Sequence, residues 1–200
     1  KGQKIGIAGG PLDKSWLLMR AYAEAEHGFD LAEETEQVFG APPLIFKSAL
    51  DGELAGAINF WHFMAKMKAA GMTEIISVAE ISEKLGLDPQ TPLLGYVFKG
   101  EMLRDSPELV GAFARASRAA KERLATDDAA WDRLRARMKP ANDAEFEALK
   151  AGFSAGTPSP VSVNEDSANA LLALMARLGG TNLVGDASTL PEGLFIEVPK

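Results

Sequence analysis

Apolar and polar positions in the first 80 residues repeat one pattern: a short apolar run, a turn, then a stretch with helical spacing. Lys4-Ile5-Gly6-Ile7-Ala8 reads as a buried strand and leads through Gly9-Gly10 into a helix that begins near Asp13. That helix, running to about Glu26, sets Leu17, Leu18, Ala21, Tyr22 and Ala25 on one face and Lys14, Arg20 and Glu24 toward water. Asp13 is its expected N-cap and Gly28 its stop. Thr35 to Phe39 predicts a second strand. The helix after it opens at Pro42-Pro43, where missing N–H groups cost nothing, and turns Leu44, Ile45 and Ala49 inward. Leu54 to Asn59 predicts a third strand, whose small residues around Gly56 imply close packing there. The helix from Trp61 carries Phe60, Met64 and Met67 on one side, with Lys66 and Lys68 in water, and ends at Gly71. Thr73 to Val78 predicts a fourth strand.

The pattern then changes. Residues 79–86 predict a short helix, 87–92 a loop, and Leu93 to Phe98 another strand. The remainder is mostly helical. Ser106-Pro107-Glu108 reads as an N-cap and first turn, and Leu109, Val110, Phe113, Ala116, Ala120 and Leu124 continue an apolar face. Thr126-Asp127-Asp128 precedes a helix with Trp131, Leu134 and Met138. Asn142 and Glu145 have capping-box spacing. Ser154 to Val163 is irregular, a helix runs from about Asp166 to Leu178 and stops at Gly179-Gly180, and Phe195 to Val198 predicts a last strand. Strands alternating with helices imply an α/β class with a parallel-rich sheet and flanking helices, followed by a mainly helical C-terminal half. The division expected from this texture is an α/β lobe over residues 1–90 and a crossover strand with helices over 91–200.

Composition narrows the chemistry. At 200 residues the chain can bury a real core, and its 46% hydrophobic and 24% charged content is that of an ordinary globular protein. A net charge of −7 without a basic stripe argues against a nucleic-acid partner. The absence of cysteine removes disulfides, thiol nucleophiles and thiolate metal sites. No apolar run has the length of a membrane span. The chain opens at Lys1 almost directly into a core strand, which predicts that sequence once preceded it.

In parallel sheets ligands bind beyond the carboxyl ends of the strands, so two stretches stand out. Gly9, Gly10, Asp13, Lys14, Ser15 and Trp16 combine a close backbone approach, a helix N-terminus, a hydroxyl, a charge and a flat apolar wall. The bland alternative is a tight turn, a cap and a core tryptophan. Asn59, Phe60 and Trp61 offer one hydrogen-bonding amide and two aromatic walls, with His62 next in the chain. Their bland alternative puts Phe60 in the core and Trp61 half exposed. His27 and His62, the only histidines, have no carboxylate spacing that predicts a metal site. No G-x-S-x-G elbow, Rossmann fingerprint or Walker A loop is present. Glu33-Glu34 and Asp127-Asp128 read as solvated or helix-start carboxylates, and Met64, Met67 and Met72 as core.

Three stretches together resemble the second half of a type II periplasmic solute-binding protein, in the branch serving nitrate, sulfonate, taurine and thiamine-precursor importers. They are Lys1-Gly2-Gln3-Lys4-Ile5-Gly6-Ile7 before a Gly-rich loop, Ala49-Leu50-Asp51-Gly52-Glu53-Leu54-Ala55-Gly56-Ala57-Ile58 with Trp61 shortly after, and Phe98 through Ser106-Pro107-Glu108-Leu109-Val110-Gly111-Ala112-Phe113. The likeness covers roughly residues 1–125. In Gly56-Ala57 the aspartate usual in the family's run is replaced by glycine.

The resemblance implies a two-lobed fold in which residues 1–90 form the second lobe and the first lobe's own strands are absent from this chain. It implies capture of a small anionic or heteroaromatic solute (sulfonate, nitrate, carboxylate or pyrimidine type) between lobes, with Gly10, Ser15, Trp16, Asn59 and Trp61 facing it. It further implies delivery to an ABC transporter permease, a periplasmic location, no cofactor, no metal and no catalysis. A chain lacking its first lobe would expose apolar surface and self-associate. Two other readings stay open. One is the effector-sensing domain of a LysR-type transcription regulator, which shares the two-lobed architecture. The other is an enzyme on this fold, such as a phosphoribosyltransferase or a pyrimidine synthase.

Overall fold

The computed structural model describes residues 1–157 and 163–196. Within them the chain divides into two compact units. The first takes in Lys1–Thr91 and Asn164–Pro191, and the second Pro92–Val163 with the stretch from Glu192. The helical segment after residue 163 therefore packs with the α/β part rather than with the other helices beyond residue 90. Hydrophobic periodicity defines helices but not which neighbour a distant helix will find.

The first unit is built on three parallel strands, β1 (Gln3–Ala8), β2 (Thr35–Gly40) and β3 (Gly56–Ile58), in the order β2-β1-β3. β1 lies in the middle, with Ile5 opposite Gln37 on one side and Gly56 on the other. Its Ile7 and Ala8 are buried. Gly6 is required by packing: a Cβ there would meet Leu54 Cδ1 at 2.5 Å and Ile45 Cγ2 at 3.0 Å. The close approach expected at Gly56 is absent, since a Cβ there would meet nothing within 4 Å.

Helix α1 (Lys14–His27) follows β1. The Asp13 carboxylate accepts from the Ser15 and Trp16 N–H groups, and Gly28, at φ 75°, closes the helix in the left-handed region. Trp16, Leu17, Leu18, Ala21 and Ala23 are buried, whereas Ala25, expected inside, is exposed. Arg20, expected in water, is half-buried and forks onto Asp30 at 2.9 and 2.6 Å. Asp30 also caps the short helix α2 (Leu31–Glu34). Helix α3 (Pro42–Leu50) buries Ile45 and Ala49, but Leu44 points outward at 57% exposure. Helix α4 (Trp61–Ala69) buries Ala65 and Met67 and leaves Phe60, just before it, exposed.

No fourth strand forms over Thr73 to Val78. Ser77 and Glu80 make a reciprocal capping box that starts helix α5 (Val78–Lys84) one residue before its expected beginning. Ile75 is left 90% exposed, while Ile76 and Val78 pack inward. Helix α10 (Glu165–Gly179) runs on into α11 (Thr181–Val184), and Met175 of α10 joins Leu17, Leu18 and Ile81 in the main apolar core. That core covers one face of α1 with helices distant in sequence.

The second unit holds α6 (Gly100–Asp105), α7 (Pro107–Thr126), α8 (Asp128–Met138) and α9 (Asp143–Ala155). The strand expected over Leu93 to Phe98 does not form; the segment joins no ladder. Val110, Ala130, Trp131, Phe146 and Leu149 are buried, and Trp131 Nε1 donates to the Leu124 carbonyl at 2.7 Å. Leu109 and Phe113, expected to face inward, are at least half exposed. Asn142 caps α9 by accepting from the Glu145 N–H, as its spacing predicts, whereas Ser106 makes no side-chain bond at the start of α7. Of the expected last strand, Phe195 and Ile196 are not in a strand, and Glu197 and Val198 lie outside the described residues. So does most of the irregular stretch before Val163. Among the described residues no helix is long and apolar enough to cross a membrane.

Candidate functional site

The sheet order creates one distinctive place. From β1 the chain crosses to β2 on one side, and from β2 it crosses back over to β3 on the other. The carboxyl ends of β1 and β3 thus lie side by side where the strand order reverses, the place where α/β sheets bind ligands. The register that sets Ile7 beside Ile58 sends Gly9-Gly10 and Asn59-Phe60 out of the same edge. Both predicted stretches therefore meet at one end of the sheet.

Their side chains differ in what they offer. Gly9 adopts φ 109°, a conformation favouring glycine, and its N–H donates to the Gly40 carbonyl at 2.9 Å. The Gly10 carbonyl accepts from the Asp13 N–H at 2.9 Å, so the loop folds back on itself. A Cβ at Gly10 would meet nothing within 4 Å, which leaves open space in front of this turn. Asp13 Oδ1 takes the Ser15 and Trp16 amides at 3.0 and 3.2 Å. The positive end of α1 thus already carries a carboxylate, and a second anion would meet it. Lys14 is exposed and Ser15 half-buried. Trp16 is not the open wall expected of it: it is 2% exposed and packs edge-on to Phe39 with centroids 6.4 Å apart.

Asn59 is a structural clamp. Its Nδ2 donates to the Pro42 carbonyl at 3.0 Å and its Oδ1 accepts from the Phe60 N–H at 2.8 Å. This ties the end of β3 to the start of α3 and fixes where the next residues emerge. Phe60 and Trp61 emerge exposed, each at 47%. His62 sits against them, with ring centroids 6.2 Å from Phe60, 5.6 Å from Trp61 and 4.6 Å from Phe63, and Phe63 rests on Phe46 at 5.4 Å. Burial pushes the His62 pKa below its ordinary value, with the Lys66 charge adding to it. The first turn of α4 therefore presents an aromatic surface with a neutral imidazole at neutral pH, and no side chain caps that helix end.

Sequence reasoning missed one contributor: Phe46, from α3, buttresses Phe63. Leu44, expected to face inward, stands exposed at the start of the same helix. The signal for Leu44 was available in the proline pair before it, which fixes the helix phase only once Ile45 is known to be the core residue. Away from this edge, the second unit has a shallow groove of about 370 Å³ lined by Ala120, Arg123, Leu124, Ala130, Arg133 and Leu134. Its two arginines are both bound to Asp127, at 3.3 and 3.2 Å, and it contains none of the predicted residues. Among the described residues no group of three or more His, Asp or Glu side chains is placed to hold a metal ion.

Neither a protein-family model nor a curated protein matches this chain.

Proposed function

We propose that the chain is the ligand-gripping part of a substrate-binding component of an ABC import system, of type II periplasmic-binding-protein architecture, acting in the bacterial periplasm without catalysis. The single observation that carries this reading is the β2-β1-β3 order. It brings Gly9-Gly10 and Asn59-Phe60-Trp61 to one end of the sheet, where the Phe60 and Trp61 rings stand exposed. Capture of a solute needs such a surface, a partner lobe to close on it and a membrane permease to receive it.

Among the solute classes that fit this architecture, the local chemistry favours a heteroaromatic of pyrimidine type over a small inorganic anion. Asp13 already satisfies the amides at the start of α1, so nitrate or a bare sulfonate would face a carboxylate there. A flat ring has exposed aromatic faces to stack on at Trp61 and Phe60.

A thermal-shift screen with pyrimidines, aromatic carboxylates, alkylsulfonates, nitrate and bicarbonate tests the proposal, because a ligand that binds only the folded state raises Tm by mass action. A shift with a heteroaromatic, lost in Trp61→Ala while the unliganded Tm is kept, supports it. A shift that persists unchanged in Trp61→Ala removes the site, and no shift with any class removes the function.

A further inference from the structure

The groove between α7 and α8 has two chemically different parts. Leu124 and Leu134 are half-buried and Ala130 is buried, so its floor is aliphatic, and no aromatic ring lines it. Arg123 and Arg133 also line it, with side chains 64% and 57% exposed. Asp127 precedes α8 but makes no capping bond to it; its carboxylate turns to the arginines instead. One oxygen, Oδ2, accepts from Arg123 Nε at 3.3 Å and from Arg133 Nη2 at 3.2 Å. The two guanidinium groups therefore converge on one point beside the apolar floor.

We propose that this groove is a binding site for a small amphipathic monoanion, an aliphatic carboxylate held by Arg123 and Arg133 with its tail on Leu124, Ala130 and Leu134. Charge decides the head group. Two guanidinium groups against one carboxylate leave a surplus of a single positive charge, which a monoanion neutralises and a dianion overshoots. Each arginine carries five N–H donors and gives one to Asp127, so each keeps donors for a second, bidentate acceptor. Asp127 holds both side chains in place before a ligand arrives, so less rotamer freedom is lost on binding. The surroundings have the matching sign. Residues 107–138 carry seven Lys and Arg against five Asp and Glu, in a chain of net charge −7, and Lys150 of α9 is paired with Asp128 at 2.6 Å. The floor decides the tail: leucine and alanine methyl groups cover an alkyl chain but give a ring nothing to stack on. At about 370 Å³ the groove has the size of a small-molecule cleft.

Titration of the full 200-residue chain with octanoate, read by amide and arginine Nε–H chemical shifts, is the test. The amides of Ala120, Leu124, Ala130 and Leu134 and the Nε–H groups of Arg123 and Arg133 should move together and saturate. Octanol has the tail without the charge, and acetate the charge without the tail; each should bind at least about tenfold more weakly. Arg133→Gln should weaken octanoate binding about tenfold. Ala120→Glu brings a like charge into the groove from an exposed helical position and should weaken it by about as much. Circular dichroism melts check that both variants are folded, and the exposed position of Ala120 keeps the test open if Arg133→Gln is not. Trp61→Ala should leave octanoate binding unchanged, which separates this groove from the candidate solute site of the first unit. The absence of saturable shifts at the groove overturns the proposal. Octanol binding as tightly as octanoate overturns it by reducing the groove to an apolar patch, and acetate doing so by reducing it to ion attraction. Octanoate binding unchanged in Arg133→Gln and Ala120→Glu removes the site, and octyl phosphate binding more tightly than octanoate overturns the assignment to a monoanion.

Discussion

Replacing Asp13 by alanine tests the local physics on which the candidate site rests. The Asp13 carboxylate holds the Ser15 amide at 3.0 Å and the Trp16 amide at 3.2 Å. Losing an N-cap costs about 1 kcal/mol, within a range of roughly 0.5 to 2. Here the loss belongs in the upper half of that range, because Trp16 is buried and water cannot readily take its N–H. A cost of about 1.5 kcal/mol corresponds, for a chain of this size, to a fall in Tm of about 3–6 °C. Circular dichroism melts of wild type, Asp13→Ala and Asp13→Asn read this directly. Asparagine caps as well as aspartate, so Asp13→Asn should stay close to wild type. It also removes the charge, so it should admit an anion where the wild type does not. An Asp13→Ala protein as stable as wild type would refute the assignment of Asp13 as the cap. It would also remove the reason for holding α1 closed to anions.

The same geometry sets four further outcomes. Trp16→Ala should destabilise by about 3–5 kcal/mol in urea titration, because a fully buried aromatic leaves a cavity against Phe39. Gly6→Ala should cost about 1–3 kcal/mol, because the added Cβ meets Leu54 Cδ1 at 2.5 Å and Cγ2 of the fully buried Ile45 at 3.0 Å; a neutral result would refute the packing requirement for glycine here. Arg20 holds the Asp30 pKa below its ordinary 3.8, so the stability contributed by this pair is present above that value and lost as pH falls through the lower folded value. Asp30→Asn should remove that acid-limb slope along with about 1 kcal/mol at neutral pH, as measured by urea melts at stepped pH. The His62 imidazole should titrate by NMR below 6.5, since burial and then Lys66 disfavour its charged form. Stability should therefore fall as pH drops from 6.5 toward the folded value, a slope that His62→Gln abolishes.

Much of the first unit was legible because its signals are local. Strand β1, the cap Asp13, the stop Gly28 and the proline pair at α3 each act within a few residues, and each forms where periodicity and capping rules place it. The two strands that fail do so for reasons outside their own composition. Thr73 to Val78 contains β-formers, but the Ser77–Glu80 box commits its end to a helix. Leu93 to Phe98 has strand composition without a neighbouring strand, and a strand exists only as a pair.

The site was half legible for the same reason. Topology could bring Gly9-Gly10 and Asn59-Trp61 together from the alternation alone. Periodicity could not say that Phe39 would seal Trp16, or that Pro42, seventeen residues before Asn59 in the chain, would take its amide. Nor could it place Met175 of α10 against Leu17 and Leu18, which is why the last helix was expected elsewhere.

Amide chemical-shift mapping tests the central claim most directly. The full chain is titrated with the heteroaromatic that gives the largest thermal shift, and the amides that move are assigned. The largest changes should fall on Gly9, Gly10 and Asn59 to Phe63, with the Trp61 indole among them. Changes confined to the groove of Arg123 and Arg133, with the β1 and β3 carboxyl ends silent, would contradict it.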